Sequence, residues 1–96
     1  MKRLESACVV RILITHPMET GRRQDITTGE TIPAHFIEEV KIEHNGLTVA
    51  NCQFGTGVSR DPYLSIRLRN TLSGDTVKVS WFDNKGQADS EEAQVP

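Results

Sequence analysis

Long apolar runs are what this 96-residue chain most plainly lacks. None approaches the ~20 residues that a bilayer-spanning helix needs, so no membrane association is expected. The opening Met1-Lys2-Arg3-Leu4-Glu5 has no extended apolar core behind it of the kind that makes a signal peptide, and taken alone the chain reads as cytoplasmic. An excess of one charge is missing as well. Eleven basic residues are scattered among 13 acidic ones for a formal −2, which leaves no electrostatic footprint for a phosphate backbone and excludes nucleic acid as an expected partner. Cysteine is scarce too. Cys8 and Cys52 are too few and too far apart in sequence for a metal clip or a multi-bridge scaffold. Cys8 falls in phase with Val10, Ile12 and Ile14 and reads as a small buried hydrophobe, and no disulfide between the two is expected.

Helical periodicity is also absent, and what replaces it is alternation. Residues 7–15 are β-branched and apolar on both parities, as expected of a strand covered on both faces or lying at an interface, so Val9 and Leu13 need something to pack on. From Phe36 onward, Phe36, Val40 and Ile42 share one parity while Glu39, Lys41 and Glu43 share the other. Asn45-Gly46 follows at once. Both central residues of a type I′ turn need φ > 0, so this pair predicts a hairpin of 36–44 with 47–54. A strand over 63–69 points Leu64, Ile66 and Leu68 inward, and Ser73-Gly74-Asp75 turns it into 76–82, where Val77, Val79 and Trp81 face in. Asp83 to Gly86 makes a further turn, after which 87–96 reads as a weak edge strand or a loose tail. Ninety-six residues suit one domain, and five or six short strands with a single inward Trp predict an all-β, immunoglobulin-like antiparallel sandwich, with a small barrel as the alternative because alternation alone does not distinguish closure from two stacked sheets. The segment 16–34 is long for a connection in such a fold, which predicts that it folds on itself or contacts a partner.

Residues of chemical interest are present without the spacing that chemistry needs. His16, His35, His44 and Met18 are imidazole and thioether donors of the kind that suit copper, yet no two of them have the placement of a local chelate, and no metal is expected. Neither cysteine sits in an elbow that would expose a nucleophile. Gly55-Thr56-Gly57 is not followed by an amphipathic helix that could hold a phosphate. These readings predict a binding surface rather than an active site, with Val9, Leu13, Tyr63, Phe82, Phe54 and the 16–34 loop as its candidates.

Four blocks stand out along the chain: His16-Pro17-Met18-Glu19-Thr20-Gly21, Ile32-Pro33-Ala34-His35-Phe36-Ile37, Val58-Ser59-Arg60-Asp61-Pro62-Tyr63-Leu64, and Trp81-Phe82-Asp83-Asn84-Lys85-Gly86. In this order they resemble the SoxZ family, the small subunits of the SoxYZ sulfur-compound carriers of bacterial thiosulfate oxidation. In that family the SoxY subunit carries sulfur intermediates on a cysteine at the end of a glycine-rich arm, and SoxZ has no such arm. The end of this chain, Asp89 to Pro96, likewise contains neither Cys nor Gly. The resemblance implies a non-catalytic, cofactor-free subunit that binds a SoxY-type carrier as a heterodimer or heterotetramer and serves other Sox enzymes indirectly. It also implies a periplasmic location reached by export bound to SoxY, whose signal serves both. The contact surface expected from it comprises His16, Pro17, Met18, Glu19, Thr20, Gly21, Pro33, His35 and Phe36, although the same blocks could equally brace the long loop onto the sandwich.

Three features depart from the family pattern. Family members usually have another N-terminal strand and loop, so the resemblance raises the expectation of a sandwich short of its first edge strand, which would invite pairing with a second copy or heavier reliance on the partner. Cys52 is not called for by the pattern, and an exposed thiol there could cross-link. Asp61 stands where Asn is expected before Pro62-Tyr63. Two rival functions remain: a SoxYZ-like carrier subunit beside a quinoprotein dehydrogenase, and a small periplasmic metal carrier using His16, Met18 and a third ligand.

Overall fold

Each alternating stretch becomes a strand in the computed structural model, which describes residues 2–4 and 7–96. The strands are β1 (Lys2–Leu4), β2 (Ala7–Leu13), β3 (Ile37–His44), β4 (Leu47–Gln53), β5 (Tyr63–Arg69), β6 (Thr76–Asp83) and β7 (Ala88–Gln94). They form a three-stranded sheet in the order β1-β2-β5 and a four-stranded sheet in the order β4-β3-β6-β7, with every pair antiparallel. The result is a β-sandwich. Among the described residues no helix is long and apolar enough to cross a membrane.

Seven strands split between two sheets is the immunoglobulin-like count, with one difference from the constant-type arrangement: the fourth strand lies beside the third instead of beside the fifth. The turn explains this. Asn45 and Gly46 have φ of 50° and 83°, the two left-handed residues of a type I′ turn, and His44 pairs directly with Leu47. A two-residue hairpin keeps β4 on the sheet of β3, because so short a loop cannot span the ~10 Å between stacked sheets.

The core is the inward set of both sheets. Cys8, Val10, Ile12 and Ile14 meet Ile37, Val40, Ile42, Leu68 and Val77, with Leu64, Ile66, Val79, Trp81, Ala50 and Cys52 packed against them. Cys8 is thus the buried hydrophobe its phase predicted. Cys52 points inward and is half-buried; both cysteines are free.

Two expectations need correction. The parity that placed Phe36 inward breaks at a bulge: Ile37 pairs with Asp83 and Glu39 with Phe82, so Glu38 is an extra residue on β3. One inserted residue shifts the alternation, and Ile37 joins Val40 and Ile42 at 0% exposure while Phe36 is only half-buried. The first edge strand is not wholly missing, because β1 pairs with the start of β2, Lys2 with Val9 through Leu4 with Ala7. Of the two readings of the tail, the structure takes the edge strand. β7 runs along β6 from Ala88 opposite Phe82 to Gln94 opposite Thr76, and Val95 is buried beyond it.

The long connection folds on itself. Glu19 and His35 exchange backbone bonds of 2.7 and 3.0 Å, and Gln24 bridges Thr31 further out. At the tip the Asp25 carboxylate accepts the N–H groups of Thr27 and Thr28, and Ile26 is fully exposed. Gly21, at φ 83°, passes so close to Ala34 that a Cβ would sit 3.2 Å from the Ala34 side chain.

Candidate functional site

Asp83 ends β6. Val77, Val79 and Trp81 point between the sheets, and one more step of the same alternation brings Asp83 inward, where it is 3% exposed. A buried carboxylate is costly unless hydrogen-bond donors surround it. Here four do. The N–H groups of Lys85 and Gln87, in the turn that follows, donate to Oδ1 at 3.0 and 2.8 Å. The Nε2–H groups of His16 and His35 donate to Oδ2 at 3.1 and 2.7 Å. A carboxylate offers about four acceptor positions, so this one is saturated.

The ring proton of His16 can be assigned from its neighbours. The backbone N–H of Met18 points at Nδ1 from 3.1 Å, and an amide can only donate, so Nδ1 accepts and the proton lies on Nε2, facing Asp83. Trp81 and His35 stand edge-on to this ring with centroids at 5.5 and 4.5 Å. The Met18 sulfur is engaged as well, since it accepts the Ile37 N–H at 3.3 Å beside the bulge. Met18 holds a φ of 50°, a left-handed conformation that a non-glycine residue keeps only when its surroundings impose it.

The remaining blocks tie into the same point. Asp61, also left-handed at φ 50°, accepts the His16 N–H on Oδ1 at 2.9 Å and returns its own N–H to the His16 carbonyl at 3.0 Å. Asn would serve the same turn, because Asn and Asp both tolerate this conformation and both present an acceptor oxygen. Asn84 accepts the Phe36 N–H and donates to the Ala34 carbonyl, which pins the Pro33 to Phe36 block to the β6–β7 turn. Among the described residues the one buried side-chain polar atom without a partner is Thr71 Oγ1, which belongs to no bond of this node.

Burial pushes the Asp83 carboxyl toward the neutral form, but the bonds from His16, His35, Gln87 and Lys85 outweigh it and bring the pKa from 3.8 down to about 2. A folded value below the unfolded one means that the node's contribution is whole above about pH 4 and is lost as pH falls through about 2. The difference corresponds to about 2 kcal/mol. The wild-type chain should therefore lose stability more steeply between pH 4 and pH 2 than an Asp83→Asn variant, as measured by urea midpoints across that range. Equal slopes would show that Asp83 contributes nothing there.

The histidines have no local chelate spacing, but the fold brings His16, His35 and Asp83 so close that one potential ligand atom of each lies within 4.8 Å of the others. The donor set nevertheless argues against a cation. A metal on His16 Nε2 would move the ring proton to Nδ1, directly against the Met18 N–H, and it would take from Asp83 the two donors it now holds. The metal-carrier reading also required Met18, whose sulfur is turned to Ile37.

All four sequence blocks thus converge on one node, and over residues 2–94 the chain matches the family model described as sulphur oxidation protein SoxZ. The chain belongs to the SoxZ family. A search among curated proteins returned no match. In this SoxZ chain the residues singled out from the sequence divide into two groups. His16 and Met18 lie inside, at 3% and 5% exposure. Pro17, Thr20 and Pro33 are on the surface, and Glu19, Gly21, His35 and Phe36 are half-buried. The Glu19 carboxylate is bonded by the Arg23 guanidinium, which holds its pKa below the usual range. His44 takes no part in this node; it bonds Asp75 at 2.8 Å. Sequence reasoning missed the node residues Asp61, Asp83 and Asn84. The available signal was the inward parity of Val77, Val79 and Trp81, which continues to position 83.

Proposed function

We propose that this chain is the non-catalytic subunit that binds a SoxY-type carrier protein and helps present its sulfur-loaded cysteine arm to the Sox enzymes, in the periplasm. The observation that carries this reading is the saturation of the node. The groups that most resemble catalytic machinery, His16, His35 and Asp83, direct their hydrogen bonds to one another, to the backbone and to the Gln87 side chain, and both thiols face the core. What the chain offers outward is apolar surface: Leu13 is 70% exposed and Tyr63 59%. Such residues fit a subunit whose work is to hold another protein.

In this reading His16 and Met18 shape the contact surface from within, and Pro17, Thr20 and Pro33 present it, with Glu19, Gly21, His35 and Phe36 at its margin. Co-expression with the SoxY-like protein of the same organism, followed by size exclusion with light scattering, tests the proposal. A stable heterodimer or heterotetramer is expected. Separate elution of the two proteins, with this chain a monomer or homodimer, would contradict it.

A further inference from the structure

The outer faces of the two sheets differ in the kind of charge they carry. On the four-stranded sheet acids and bases alternate. Glu39, Lys41 and Glu43 follow one another along the outward side of β3, with Lys41 and Glu43 3.3 Å apart, and Lys78 on β6 stands between Glu43 and Glu92 in the ladder. Opposite charges set side by side in this way suit a face in water. Its cations are both lysines, and β3, β4, β6 and β7 contain no arginine. β2 and β5 are the reverse: their cations are Arg11, Arg67 and Arg69, with no Lys, Asp or Glu in either strand.

The alternation that sends Ile12, Leu64, Ile66 and Leu68 into the core turns these arginines outward. Leu13 stands opposite Tyr63 and Arg11 opposite Ser65, while Arg67 and then Arg69 follow along the same side of β5. Diagonal neighbours on adjacent strands lie about 7–8 Å apart and same-side neighbours along one strand about 7 Å, so the arginines form one like-charged group beside an exposed Leu–Tyr pair. These side chains stand perpendicular to the sheet, so a strand lying beside β2 leaves them uncovered. The outward side continues past the strand. Arg11, Leu13, Thr15 and Pro17 are exposed in alternation with buried Ile12, Ile14, His16 and Met18. The extension is held in place by Pro62, which accepts the Ile14 N–H, and by Asp61, which donates to the His16 carbonyl.

We infer that the outer face of β2 and β5 is where the partner subunit sits, through carboxylates that accept Arg11, Arg67 and Arg69 and an apolar recess that takes Leu13 and Tyr63. The inference rests on the proposed SoxY-type partnership and adds which face is covered and the chemistry that covers it. Tyrosine and arginine are enriched where proteins meet and lysine is depleted, which matches the division between the two faces. Arginine also holds a carboxylate through two parallel bonds, so it fixes orientation as well as charge. Without acidic partners these guanidiniums repel one another, and a surface bearing carboxylates relieves that repulsion. A second copy of this chain does not fit, because a two-fold contact would set one group of arginines against the other. The face leads into Pro17, so one partner covers it together with the loop surface proposed above.

Charge reversal tests this in the complex co-expressed with the SoxY-like protein. Arg67→Glu and Tyr63→Ala should each weaken partner binding at least tenfold, whereas Lys41→Glu, the same change of charge on the opposite sheet, should leave it unchanged. Raising the ionic strength should weaken the wild-type complex more than the Arg67→Glu complex. Should Tyr63→Ala fail to fold, Arg67→Glu and Arg69→Glu decide, since both replace exposed side chains. Wild-type affinity in the two arginine variants, or equal losses in Arg67→Glu and Lys41→Glu, would overturn the inference while leaving the partnership intact. The absence of any complex with the wild-type chain would overturn the inference and the partnership together.

Discussion

Replacing Asp83 with alanine is expected to destabilise the chain by about 3–5 kcal/mol, the cost of breaking a buried charged network by removing one member. The substitution strands four donors at once: the two imidazole N–H groups and the Lys85 and Gln87 amides. Each unpaired buried donor costs about 1–3 kcal/mol before relaxation and water entry reduce the sum. In a chain of this size every kcal/mol moves the melting temperature by roughly 4–8 °C, so the midpoint should fall by at least about 12 °C. Asp83→Asn should be only slightly better, because a single amide oxygen can face the rings or the turn but not both. The comparison is Asp75→Ala at the other His–Asp pair, where both side chains retain 16% exposure. Water can replace that partner, and the cost should be about 1 kcal/mol. Similar losses for Asp83→Ala and Asp75→Ala in thermal melts would mean that the node does not hold the fold together.

Ile37→Ala should cost about 2–5 kcal/mol and Phe36→Ala distinctly less, the reverse of what strict alternation along the strand predicts. Ile37 is fully buried and its N–H is held by the Met18 sulfur. Its place in the core depends on the extra residue Glu38, whose carbonyl is taken up by the Phe54 N–H at 2.8 Å. Phe36 covers the core from its margin and keeps part of its ring in water. Urea titrations of the two single variants measure the order directly. A larger loss for Phe36→Ala would mean that β3 has no bulge and that Phe36 fills the core.

Much of this architecture is written in local pattern. The two-residue turn at Asn45-Gly46, the inward faces of β5 and β6 and the phase of Cys8 follow from alternation and turn chemistry, because each is decided by neighbours within a few residues. The bulge is different. Whether Glu38 is counted in or out of the ladder is decided by β6, some forty residues away, where Asp83 must meet Ile37. β7 was hard to read for another reason: Ala88–Gln94 is exposed throughout, so it has no apolar face to alternate and is held by its backbone bonds to β6.

The node is the least legible part. His16, His35, Asp61 and Asp83 lie in four separate blocks, and no spacing rule connects them. They meet because β2 ends where the long ribbon starts and β6 ends beside it. Turn residues supply the acceptors, and a buried ring passes the constraint from Met18 to Asp83. The resemblance to SoxZ marked these blocks as important without saying how, and the structure gives the reason: they close one end of the sandwich.

The measurement that tests this account most directly is nitrogen-detected NMR of the histidine rings, repeated with zinc and then copper added. The expected result is a His16 ring protonated on Nε2 with Nδ1 accepting, and no saturable metal-dependent change at His16 or His35. A proton on Nδ1 of His16, or a saturable shift of both rings with metal, would show that the cluster is a ligand site and not the brace described here.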